Sequence, residues 1–150
     1  MRIPRDALTL LALLAVSLPS AAQEPKRPAG DGEALKGIWA AESVVLEGRK
    51  LPDDPTRGPL MLAFDGASYV QRQGESITEE GSYELGVSKD PNAIDLVITR
   101  GDNGGERQLG IYRVAGDTLT LCVSRPGAKT RPKDFGGKSG VVVLMRRYRR

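Results

Sequence analysis

Apolar and polar residues alternate in short runs along most of this chain, punctuated by glycine, proline and acidic residues. Alternation with a period of two marks strands that bury one face. The clearest case is Gly110-Ile111-Tyr112-Arg113-Val114-Ala115-Gly116-Asp117-Thr118-Leu119-Thr120-Leu121-Cys122-Val123. Gly116-Asp117 between two alternating runs signals a two-residue type II′ hairpin turn, which needs glycine in its first position. Closing the hairpin there pairs Ala115 with Thr118, Val114 with Leu119, Tyr112 with Leu121 and Gly110 with Val123. The large apolar side chains of these pairs gather on one face. Arg113 with Thr120, Ile111 with Cys122, and Leu109 with Ser124 fall on the other.

The same pattern predicts six further strands. The first covers residues 38–46 and turns at Glu47-Gly48-Arg49. Pro52, Asp53, Asp54, Pro55 and Gly58 then form a loop in which the prolines forbid regular pairing. Leu60, Leu62 and Phe64 alternate with Met61 and Ala63 in the second strand, and Asp65-Gly66 turns into the third, residues 68–72. Gly74-Glu75 leads to a fourth over 77–85. The cluster Lys89-Asp90-Pro91-Asn92 precedes a fifth over 93–99. After a turn at 101–105, the hairpin supplies strands six and seven, and residues 141–147 make the eighth. Helical signals are confined to one turn at Glu33-Ala34-Leu35-Lys36, ended by Gly37. Short connections make neighbouring strands antiparallel, and eight of them close into an up-and-down barrel with no free edge. The expectation is therefore an all-β antiparallel barrel, with a two-sheet β-sandwich as the alternative.

The start of the chain reads differently. Arg2 and Arg5 precede an apolar run from Ala7 to Leu18, and Ser20-Ala21-Ala22 supplies small residues for cleavage. That is the layout of a signal peptide over residues 1–22. The run is shorter than the roughly 20 residues a membrane span needs, so no span is expected after cleavage. Residues 23–34, with Pro25, Pro28, Gly30 and Gly32, read as a flexible linker, leaving one domain over residues 35–150. Export to a periplasmic or extracellular location follows. A formal net charge of +3 over 150 residues is that of an ordinary surface rather than a polyanion binder. Cys122 is the single cysteine, so no internal disulfide staples the fold. Mid-strand beside Leu121 and Val123, it reads as an inert buried thiol.

Several pieces of the chain, in order, resemble a lipocalin-like conserved domain of unknown function found repeatedly in planctomycete bacteria. They are Leu35-x-Gly37-x-Trp39, Gly81-x-Tyr83, Lys89-Asp90-Pro91-Asn92-Ala93-Ile94-Asp95-Leu96, the Gly110-to-Cys122 hairpin, Arg131-Pro132-x-x-Phe135 and the apolar strand ending at Arg146. The resemblance spans about Leu35 to Tyr148. It implies a lipocalin-like barrel and carries no activity with it. Gly37-Ile38-Trp39 is also similar to the Gly-x-Trp opening of true lipocalins. In those proteins the tryptophan closes the barrel floor beneath an arginine of the last strand, a part open here to Arg146 or Arg147. A disulfide, a clear C-terminal helix and a second lipocalin motif are missing.

Candidate chemistry is sparse. The chain has no histidine, which removes histidine-based triads and histidine-ligated zinc. Glu79 and Glu80 are adjacent on a strand and point to opposite faces, so they cannot act as an acid/base pair. Asp102-Asn103-Gly104-Gly105-Glu106 is too short for an EF-hand loop. Gly136-Gly137-Lys138-Ser139 lacks the first glycine and the βαβ context of a phosphate loop. No catalytic residue, metal site or cofactor is expected. Trp39, Phe64, Tyr83, Tyr112 and Leu121 point inward and either line a pocket for a small apolar ligand or fill a closed core. Arg131 and Phe135 anchor the long loop before the last strand, with Phe135 tucked over one barrel end and Arg131 on a carboxylate or strand-end carbonyl. Arg146-Arg147-Tyr148-Arg149-Arg150 is the sharpest charge cluster. It is either a solvated tail or a contact for an envelope protein or acidic glycan. One Trp, four Tyr and two Phe are too few for a base-stacking platform, and nucleic acid is not an expected partner. The leading expectation is small-ligand binding in the barrel, and the alternative is an envelope or extracellular interaction module.

Overall fold

A computed structural model describes residues 29–89 and 91–149. The expected signal peptide, and the part of the expected linker before Ala29, lie outside the described residues. The elements are α1 (Ala29–Leu35), β1 (Gly37–Leu46), β2 (Arg49–Lys50), β3 (Leu60–Asp65), β4 (Ser68–Gln73), β5 (Ser76–Lys89), β6 (Asn92–Arg100), β7 (Arg107–Ala115), β8 (Thr118–Val123) and β9 (Val141–Arg147). Each of β3 to β9 pairs antiparallel with the next, and β1 pairs with both β3 and β9. This is a closed, antiparallel, eight-stranded up-and-down barrel of the lipocalin-like kind, with β2 a two-residue appendage to β1. One continuous closed sheet excludes the sandwich.

The hairpin closes in the register its alternation demands. Tyr112 faces Leu121, Ile111 faces Cys122 and Ala115 faces Thr118. Gly116 sits at φ +57, the left-handed first position of a type II′ turn that side chains disfavour. Leu109 and Ser124 continue the ladder beyond β8, through Ser124 N–H to the Leu109 carbonyl at 2.8 Å and Leu109 N–H to Ser124 Oγ at 3.2 Å.

The registers place the turns around residues 66–67 and 116–117 at one end of the barrel, the floor, together with α1. The 47–59 connection, the Gly74-Glu75 turn, the 101–106 turn and the 124–140 loop lie at the other end, the rim. Inward-facing residues of every long strand join one core that includes Trp39, Leu62, Phe64, Tyr69, Ile94 and Met145. α1 starts at Ala29, inside the segment expected to be linker. Its last residue, Leu35, is fully buried in the core, so burial of that side chain fixes the helix against the floor.

Candidate functional site

The five residues expected to border a ligand are packed together in the barrel's depth. Trp39, Phe64, Tyr83, Tyr112 and Leu121 are each at most 3% exposed and belong to one contiguous cluster. Phe64 meets Tyr83 edge-on, with ring centroids 5.2 Å apart, the arrangement the ring quadrupoles favour. The Tyr83 hydroxyl donates to the Gly66 carbonyl at 2.6 Å. Tyr69, absent from the expected set, is as deeply buried as Phe64. Its hydroxyl donates to Glu79 Oε1 at 2.7 Å. Burial, and next the hydrogen bond to Glu79, push this phenol well above its ordinary value and keep it neutral. Glu80 points the other way and pairs with Arg100 at 3.0 Å. The two neighbouring carboxylates thus have separate partners on opposite faces.

The floor is locked by Trp39 and Arg147. The indole N–H donates to the Leu35 carbonyl at 2.8 Å. The Arg147 guanidinium lies 4.2 Å above the indole centroid and donates to the Lys36 and Ala34 carbonyls, both at 2.8 Å. Of the two arginines the sequence left open, Arg147 takes the stacking place, and Arg146 points outward to Glu42 at 2.5 Å. Arg149 clasps both carboxylate oxygens of Asp117, at 2.8 and 3.0 Å. The described arginines of the C-terminal cluster are therefore committed to partners within the same chain.

The long loop after β8 does not close a barrel end. Phe135 packs with Val45 against Ile111, Cys122 and Val142. These residues alternate with the inward positions of β7, β8 and β9, so the loop lies as a strap on the outer wall. The reason is a second apolar patch, on the face opposite the large inward side chains, where Cys122 is buried as its mid-strand place implied. Arg131 pins the strap through Asp95 at 2.6 Å and the carbonyls of Gly110 at 2.7 Å and Ile94 at 3.1 Å. Arg113 stacks over the Phe135 ring at 5.1 Å. Cys122 is fully buried under this strap. Burial, and after it the charge of Asp134, push its thiol upward, away from the reactive thiolate.

A cleft opens elsewhere, at a seam. β1 pairs with β3 only from Gly37 to Ala40. β1 runs along β9 from Trp39 to Leu46 with a bulge at Glu42, and beyond Ala40 its other edge meets only β2, at Val45 and Leu46. Leu60 at the start of β3 is left without a β1 partner, and the 51–59 loop arches over the gap. The result is a cleft of about 550 Å³. Ala41, Val44, Leu51, Pro52, Pro59 and Leu60 supply its apolar wall. Ala41, Val44 and Leu60 rest directly on the barrel core beneath. Glu42, Asp53, Asp54, Arg57 and Gln73 border it.

The far wall is fixed by a close crossing of two glycines. A Cβ on Gly58 would come within 2.8 Å of Gly74 Cα, and one on Gly74 within 2.8 Å of the Arg57 carbonyl. Both have positive φ, so glycine is required at each. The near side is held by Leu51 N–H donating to the Val44 carbonyl at 2.8 Å. Asp54 accepts from the Thr56 hydroxyl and backbone N–H, and Arg57 lies 3.3 Å away. The Thr56 hydrogen bonds, more than Arg57, hold its carboxyl below the ordinary value. Among the described residues, no three His, Cys, Asp or Glu side chains come together as a metal cage.

Comparison of the chain with family models, curated proteins and solved structures gives no match. The cleft was not expected from the pattern. Its trace in the sequence is the contrast between an unbroken first strand and the Pro52-Pro55-Pro59 segment, which cannot hydrogen-bond alongside it.

Proposed function

We propose that this chain is an exported lipocalin-like binding protein that holds a small, largely apolar ligand in the seam cleft beside the barrel core. The observation that carries the reading is the half-buried apolar wall of Ala41, Val44 and Leu60 in a cleft of about 550 Å³. Small-molecule sites run from roughly 300 to 1,000 Å³ and are mostly apolar with a few polar groups at their edge. The packing of Trp39, Phe64, Tyr83, Tyr112 and Leu121 favours the seam over the barrel depth. These five then act as the stiff backing of the wall rather than as its surface.

Native mass spectrometry of protein purified from its own host tests this reading. Wild type should carry added mass from a retained small molecule, and Leu60→Gln should lose it, because an amide in the wall forfeits apolar contact. Equal added mass on both proteins would refute the seam as the site.

A further inference from the structure

We propose that the ligand of the seam cleft is a cationic amphiphile: an apolar body with an ammonium-type head group. The inference rests on the seam being the binding site and adds the charge of what it takes. Three carboxylates border the cleft, Glu42, Asp53 and Asp54, against one cation, Arg57. Arg57 is turned to Asp54 at 3.3 Å, and Glu42 is met by Arg146 from outside the cleft. Among the described residues, no hydrogen bond or ion pair engages Asp53, which sits on the loop directly beside Pro52. An alkyl body on Val44 and Leu60 therefore leaves its head group at an acidic border with one carboxylate unspent. An anionic head group meets repulsion there, and a neutral one gains nothing from the charge.

Binding of three ten-carbon probes, each below its micellar concentration and at low salt, separates the possibilities by calorimetry. The probes are decyltrimethylammonium, 1-decanol and decyl sulfate. Decyltrimethylammonium should bind about tenfold more tightly than decyl sulfate, as expected for an exposed charge that attracts one and repels the other. Decanol should fall between. Asp53→Asn should remove most of that spread while leaving decanol unchanged, and Leu51→Gln, on the exposed lip of the wall, should weaken all three. Equal affinities, or tighter decyl sulfate, would overturn the charge inference and leave the apolar seam standing. Binding of no probe, or binding indifferent to Leu51→Gln, would overturn the seam reading and the charge inference together.

Discussion

Two side chains show how single residues hold this barrel. Arg147 joins the last strand to α1 by stacking on Trp39 and capping two carbonyls. Arg147→Leu should cost about 2 kcal/mol from the lost cation–π contact and the unpaired carbonyls, read as a lower urea midpoint. Arg147→Lys should restore only part, because a lysine cannot make the planar fork. Tyr69 sets a pH limit. Its hydroxyl is held neutral in the folded protein, while in the unfolded chain it ionises near the ordinary value of 10.0. Above that pH the unfolded state binds fewer protons, so stability falls as pH rises. Tyr69→Phe should cost about 1 kcal/mol at neutral pH. It should also show a shallower alkaline decline than wild type in denaturant melts between pH 9 and 11.

At the scale of elements, the strap is the part whose role changes most between sequence and structure. Phe135 and Arg131 hold it over Cys122. Phe135→Ala should therefore speed alkylation of that thiol by about tenfold or more through easier local opening, with little change in the far-UV spectrum. Arg131→Met should act in the same direction, since Arg107 still faces Asp95 at 3.3 Å. An alkylation rate unchanged in both variants would refute the strap as the thiol's cover. The strands themselves were legible because alternation and turn glycines are local signals, and the hairpin register follows from them directly. Tyr69 escaped the expected interior because Gln71 and Gln73 follow it on the same face and break the apolar run. The outer-wall patch escaped because Ile111, Cys122 and Val142 are joined to Phe135 only through a long loop whose path no local pattern records. The seam escaped for a related reason: the bulge at Glu42, just beyond the last β1–β3 pair, is met by Arg146 of β9, 104 residues away.

At the scale of the whole molecule, the barrel is a ring of neighbouring hairpins with one long-range joint. Every pairing from β3 to β9 joins strands adjacent in the chain, and only β1 with β9 spans the domain. Local pairings form early, and joints of high sequence separation are the slow step of such topologies. A chain ending at Gly140 should therefore keep its β3–β8 meander but fail to close. It should sediment as aggregates where the full chain sediments as a discrete species. The split loyalty of β1 has a consequence in time as well as in space. The first strand to be synthesised must wait, half paired, for the last, and until β9 arrives both β1 and β8 present bare edges. A nascent chain of this design is most vulnerable just before it is complete, so whatever shields unfinished chains in its compartment has to act across nearly its whole length.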